Sequence, residues 1–186
     1  MPKITEEFEY DGAAEKVSRL GLAALLSEVR SIATDFDLRV KEEKDANGGA
    51  AVRKLLDAQF EKAQEWTKKQ TGDIDWTKCK KINGTRVCLG VEVQFSARSD
   101  LLAIDVHHLR RAIILGHVDV GVLLVPDDQL AIFLTDRGPR MSDAKRHVEE
   151  ARAQDLPLIL MSLLHDGPGA SLVKQAKRKS KRRPNP

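Results

Sequence analysis

An α/β sandwich around a mixed β-sheet is the fold class this sequence predicts, and three observations carry it. Apolar residues recur near the helical period as far as Trp66. From Asp73 they recur at every second position, and two predominantly apolar runs, 118–125 and 156–164, then alternate with amphipathic stretches. Such an α-α-β-β-α-β-α-β order places helices over a sheet of mixed direction.

After Asp11-Gly12, a candidate N-cap, Val17, Leu20, Ala24, Leu25 and Ile32 form one helical stripe. The charged segment 41–49, ending Asn47-Gly48-Gly49, reads as a loop. Val52, Leu55, Leu56, Phe60, Ala63 and Trp66 form a second stripe, which faces a core rather than a cofactor. Thr85, Val87, Leu89, Val91, Val93 and Phe95 then alternate with Arg86, Cys88, Gly90, Glu92, Gln94 and Ser96, a strand with one face on the core. Asp100 can cap a helix carrying Leu101, Ile104, Leu109 and Ile113. The run 118–125 is a buried strand closed by Pro126-Asp127-Asp128, and 129–135 is expected as another strand. Residues 142–153 read as a helix, and 156–164 as a strand stopped by Asp166-Gly167-Pro168-Gly169.

The chain has 186 residues, 41% of them hydrophobic and 32% charged, enough for one domain with its own core. The expected organisation is a single domain over 1–173, helical over 12–70 with a sheet core over 73–165, and a basic flexible tail over 174–186. No apolar run reaches bilayer length and the acidic N-terminus has no signal core, so the cytoplasm is the expected location. The net charge of +3 is uneven: setting aside the seven basic residues from Lys174 onward leaves 24 basic against 28 acidic groups, or −4. The body is thus no broad nucleic-acid coat. The tail reads equally as a DNA-contacting arm or as a solubilising or targeting segment. Cys79 and Cys88 cannot complete a zinc site alone, and no histidine stands at ligand spacing from them.

Asn83-Gly84 between two β-patterned runs is a strong two-residue hairpin signal. Ile82 then faces Thr85, Asp75 faces Glu92 in a non-hydrogen-bonded pair, and Asp73 faces Gln94. The opposite face would pair Ile74 with Val93 and Trp76 with Val91, giving the register a second, apolar support. Facing carboxylates repel unless neutralised, and a divalent cation between them would do so. Solvated carboxylates paired with nearby lysines remain the alternative. Cys79 faces Cys88 in the same register. A cross-strand disulfide is sterically allowed, but a reducing cytosol favours two free thiols.

Asp73-Ile74-Asp75-Trp76 followed by Val91-Glu92-Val93-Gln94-Phe95-Ser96 resembles the active-site segment of BglII-type restriction endonucleases, a branch of the PD-(D/E)xK nuclease superfamily. The similarity extends more weakly to Asp166, and the Asp-to-Glu spacing is longer here than in BglII, by the Asn83-Gly84 extension. The resemblance implies a restriction-endonuclease-like core and hydrolysis of phosphodiesters in double-stranded DNA. It implies Mg2+ with Mn2+ as a substitute, held by Asp75, Glu92 and the Val93 carbonyl. Gln94, in the place of the usual lysine, orients the attacking water but cannot take its proton, because an amide has no useful basicity. Ser96 is similar to a family position near DNA. A homodimer acting on a short palindrome, with GATC-centred sites in the nearest relatives, is also implied, without membrane or small-molecule cofactor.

For the DNA contacts, Arg98 beside Ser96 is a candidate for a phosphate, and Arg137, Arg140, Ser142 and Lys145 near a Gly-Pro loop for bases, with ordinary surface charge as the alternative. His107 and His108 are assigned to a dimer seam or to solvent rather than to catalysis. Three other readings stay open: a nuclease of this fold without strict specificity, in repair or phage defence; an inactive DNA-binding protein; and a structural protein whose tail binds RNA.

Overall fold

The structure, a computed structural model, describes residues 1–69, 72–96, 101–135 and 138–172. Its centre is a mixed six-stranded sheet in the order β1-β7-β6-β5-β4-β3. The strands are β1 (Lys3–Glu9), β3 (Thr67–Lys68), β4 (Trp76–Ile82), β5 (Thr85–Val93), β6 (Val120–Pro126) and β7 (Leu158–Leu164). The β5, β6 and β7 strands run parallel, whereas β1, β4 and β3 pair antiparallel with their neighbours. A small parallel pair, β2 (Arg39–Val40) with β8 (Gly167–Pro168), stands apart.

Helices cover both faces, as the α/β class requires. On one lie α1 (Ala13–Arg19), α2 (Ala23–Thr34), α3 (Gly49–Lys62) and α5 (Asp128–Phe133), packed through Val17, Leu25, Val29, Val52, Leu56, Phe60 and Leu130. On the other lie α4 (Leu102–Ile114) and α6 (Met141–Glu150), packed through Leu102, Val106, Leu109, Ala144 and Val148. The central strand β6 sends Val120, Val122 and Leu124 to the first layer and Leu123 and Val125 to the second, which is why its run is unbrokenly apolar.

The hairpin forms in the expected register. Asn83 and Gly84 both have positive φ, +49° and +83°, as a type I′ turn demands, and the ladder runs from Ile82/Thr85 to Trp76/Val91. Beyond Trp76 the expected pairing stops. Gly72 and Asp73 take positive φ, so the chain enters β4 through a turn rather than as strand. Asp73 therefore does not pair with Gln94, and Asp75, just outside β4, is not a ladder partner of Glu92 although its N–H lies 3.4 Å from Glu92 Oε2. Ile74 joins the α4/α6 layer against Gly90, instead of facing Val93.

Other expectations are corrected. Cys79 and Cys88 are joined as a disulfide with Cα atoms 4.0 Å apart, not two free thiols. The close approach of a non-hydrogen-bonded pair brings the sulfurs within bonding reach. The segment 129–135 contains a helix, because the Asp127 side chain accepts from the Gln129 N–H at 2.8 Å and Leu130 and Leu134 then share one face. The first stripe is two helices, divided where Gly21 (φ +65°) donates to the Ser18 carbonyl and Leu22 to that of Val17. Strand β1 carries no sequence signal: as an acidic edge strand it is held by its backbone ladder to β7, and an edge need not alternate. Asp100, Arg98, Arg137 and the tail 174–186 lie outside the described residues. Among the described residues, no helix is long and apolar enough to cross a membrane.

Candidate active site

The carboxyl ends of parallel strands are where open α/β sheets bind ligands, and the acidic residues of the hairpin lie at that end of β5. Alternation along β5 sends Val91 and Val93 into the α3 layer and Glu92 toward α4, where its side chain is 2% exposed. Asp75 stands just before β4. Its Oδ2 accepts from the Val93 N–H at 3.0 Å, and its own N–H lies 3.4 Å from Glu92 Oε2. Gln94 is buried, its N–H donating to the Leu124 carbonyl at 2.9 Å.

Helix α3 brings Arg53 to this point. Its Nη2 lies 2.8 Å from Asp75 Oδ1, its Nη1 donates to the Val93 carbonyl, and its Nε lies 3.0 Å from Asp57 Oδ1 one turn on. Asp57 in turn accepts from Trp76 Nε1 at 3.0 Å and pairs with Lys68. Gly49 makes the approach possible: a Cβ there would lie 1.8 Å from the Phe95 carbonyl oxygen, so only glycine lets the start of α3 sit on the strand exit. Arg53 thus engages two of the three groups that the sequence nominates as metal ligands.

Helix α4 supplies the opposite wall. Asp105 and His108 share one of its faces, and His108 Nδ1 lies 3.2 Å from Glu92 Oε1. One ligand atom from each of Glu92, Asp105 and His108 falls within 4.8 Å of the others.

The electrostatics follow from crowding three carboxyls around one guanidinium. Burial opposes ionisation of Asp75, but its hydrogen bonds with Glu92, Arg53 and the Val93 N–H outweigh it and hold the carboxyl below its usual range. Burial first, and the Asp75 charge second, push Glu92 up to about 11. The same two causes, partly offset by Arg53 and Lys69, push Asp105 up to about 7. Such a separation of pKa values within one cluster is characteristic of functional sites.

Of the residues nominated from sequence, the structure brings together Asp75, Glu92, Val93 and Gln94. Ser96 is exposed and lines a cleft of about 310 Å³ with Arg53, Lys54 and Asp57. Arg140 and Ser142 line another cleft, of about 740 Å³, with Lys44 and Asp45. Lys145 pairs with Glu6 at 2.5 Å across the sheet edge. Arg53 and Asp105 are absent from the sequence reading, and His108, assigned there to a dimer seam or to solvent, stands instead against Glu92. The i,i+3 spacing of Asp105 and His108 was a usable signal, but no pattern in the chain says which strand their helix covers.

The family model described as restriction endonuclease BglII/BglIII matches residues 5–163. That span contains β3, β4, β5 and β6 whole and all but the outermost residues of β1 and β7. No curated protein matched the chain.

Proposed function

The chain belongs to the restriction endonuclease BglII/BglIII family and is therefore a nuclease acting on DNA, and we propose that it is a type II enzyme cutting both strands of a short palindrome. The observation that carries this reading is the convergence of Asp75, Glu92 and the Val93 backbone at the carboxyl end of β5, inside the matched span. In this reading residues 1–173 make one endonuclease domain, the basic segment 174–186 follows it, and the protein acts in the cytoplasm. A homodimer presents one site to each strand, so its two-fold axis coincides with that of a palindromic, GATC-centred sequence.

The donor set fits a hard cation. Two carboxylates and a carbonyl are oxygen ligands of the kind magnesium takes, and Asp75, Glu92 and Val93 would hold Mg2+, or Mn2+ in its place. When bound, the ion supplies Lewis acidity to the phosphate and lowers the pKa of a coordinated water. The chain's own residues do the rest. Arg53 yields the Asp75 carboxylate and the Val93 carbonyl, and its freed guanidinium suits a phosphate oxygen. The Gln94 amide orients the attacking water without accepting its proton. Ser96, Arg98, Arg137, Arg140 and Ser142 are the proposed DNA contacts.

The test is plasmid DNA incubated with the protein and Mg2+. The expected products have discrete ends mapping to one sequence, and Asp75→Ala abolishes cutting while DNA binding persists. Smeared products would replace this reading with a nuclease of low specificity. A second reading, a DNA-binding protein of this fold without catalysis, is favoured by Arg53 on the ligand atoms and by Gln94 where lysine is usual. Binding without any cleavage in Mg2+ or Mn2+ would decide for it.

A further inference from the structure

Arg53 divides the acidic cluster into two unequal halves. On the α3 side, Asp75 Oδ1 is 2.8 Å from the guanidinium and Oδ2 is 3.0 Å from the Val93 N–H, so both oxygens already have donors. On the α4 side stand Glu92 and Asp105, and among the described residues no lysine or arginine forms an ion pair with either. The imidazole of His108 lies 3.2 Å from Glu92 Oε1, and the charges of Arg53 and Lys69 reach Asp105 without an ion pair. Ionising all three carboxyl groups of this buried site would leave Glu92 and Asp105 without a guanidinium or ammonium in contact, so a cation on the α4 side would offset that charge.

The donor atoms there, beyond the His108–Glu92 hydrogen bond, also lie close enough together to share one ion. One atom each from Glu92, Asp105 and His108 lies within 4.8 Å of the other two, a spacing that a single ion at ordinary metal–ligand distances can span. Two of the three ride on one helix at i and i+3, so a ligand pair is set by helix geometry alone. The third, Glu92, offers one oxygen to His108 and the other toward Asp75. It can therefore serve a position on each side.

We infer that Glu92, Asp105 and His108 form a separate divalent-cation position on the α4 side of the cluster, one that prefers a transition metal such as Mn2+, Co2+ or Zn2+ over Mg2+. The preference follows from the donors: an imidazole nitrogen suits first-row transition metals, whereas magnesium takes oxygen ligands almost exclusively. This position shares Glu92 with the proposed Mg2+ position but does not depend on it, and it is available while Arg53 holds Asp75 and Val93.

The experiment is Mn2+ titration of the full chain without DNA, read by electron paramagnetic resonance, with electron spin-echo modulation to detect a nitrogen directly bound to the ion. The wild type should bind Mn2+ with a 14N coupling, and a large excess of Mg2+ should leave that signal in place. His108→Ala and His108→Gln should remove the coupling and weaken Mn2+ binding by about tenfold or more. His108 is 28% exposed, so both variants leave the core intact. Asp105→Asn should weaken binding while the residual complex keeps the coupling. Asp75→Asn should keep the coupled Mn2+, and its effect on DNA cleavage tests the nuclease reading separately. Wild-type Mn2+ bound without nitrogen coupling, a coupling that survives in both His108 variants, or displacement by equimolar Mg2+ would each overturn the inference.

Discussion

Replacing Arg53 by methionine tests whether the guanidinium holds the place of a cation. The substitution keeps an unbranched chain of similar length but removes the charge from Asp75, together with the bonds to Val93 and Asp57. Asp75 is now ionised at neutral pH because these donors outweigh its burial. Without Arg53, burial dominates, and the folded protein must hold either an unpaired carboxylate or a protonated one. Protonation sets the ceiling. Neutralising an aspartate of ordinary pKa at pH 7 costs about 4 kcal/mol, and at pH 5 about 1.5 kcal/mol. The loss of stability should therefore be about 3–4 kcal/mol at pH 7 and less than half of that at pH 5, in line with other broken buried pairs. The sign also reverses. In the wild type, Asp75 contributes stability above its unfolded pKa that is lost as pH falls through its lowered folded value; in Arg53→Met its contribution worsens as pH rises. Urea unfolding followed by tryptophan fluorescence measures this, in EDTA and in Mg2+. In the proposed site a cation and Arg53 would compete for the same oxygens, so Mg2+ should stabilise the variant more than the wild type. An identical loss in EDTA and Mg2+, at both pH values, would refute the competition.

The raised carboxyls predict how the metal-free protein responds to pH. Glu92 at about 11 and Asp105 at about 7 both lie above their unfolded values, so their contributions are full below about pH 4 and decline as pH rises, for Asp105 through about 7. Melting in EDTA should show Tm falling from pH 5 to pH 9, and Asp105→Asn should flatten the part below about pH 7; a rising Tm would contradict the assignment. Gly49→Ala should cost about 3 kcal/mol in urea unfolding, because its Cβ would lie 1.8 Å from the Phe95 carbonyl oxygen and backbone must move. It should also reduce cleavage, since α3 carries Arg53. Reducing Cys79–Cys88, which closes a short loop, should lower stability by about 2–3 kcal/mol in matched melts with and without dithiothreitol. Cleavage should persist, because the Asn83-Gly84 turn and the β4–β5 ladder set the register independently.

Several features are local, and local features are readable in the chain. A two-residue turn needing positive φ announces itself as Asn83-Gly84, and counting outward brings Asp75 close to Glu92 although the ladder ends one residue earlier, at Trp76 and Val91. Strands covered on both faces announce themselves as near-continuous apolar runs, unbroken in β6 and interrupted only by Ser162 in β7. The misreadings have equally definite causes. A short apolar run does not distinguish strand from helix, so α5 depended on the Asp127 cap. The acidic edge strand β1 is held by hydrogen bonds that leave no mark on side-chain pattern. Positive φ at Gly72 and Asp73 ended the ladder at Trp76 and turned Ile74 to the other face.

By itself, then, the sequence determined the α/β class, the hairpin register and the family, along with the pair Asp75 and Glu92. These depend on periodicity and turn chemistry within a short stretch of chain. Only the tertiary structure decided what surrounds that pair. Arg53 reaches it because Gly49 lets α3 settle on the exit of β5, and Asp105 and His108 reach it because α4 packs on the face to which Glu92 points. Contacts between layers depend on which faces meet, and amphipathic stripes specify that a face is buried, not what it is buried against. The protonation of the site follows from the same packing, since burial and the neighbouring charges separate three ordinary carboxyls into one ionised and two held protonated well above their usual range.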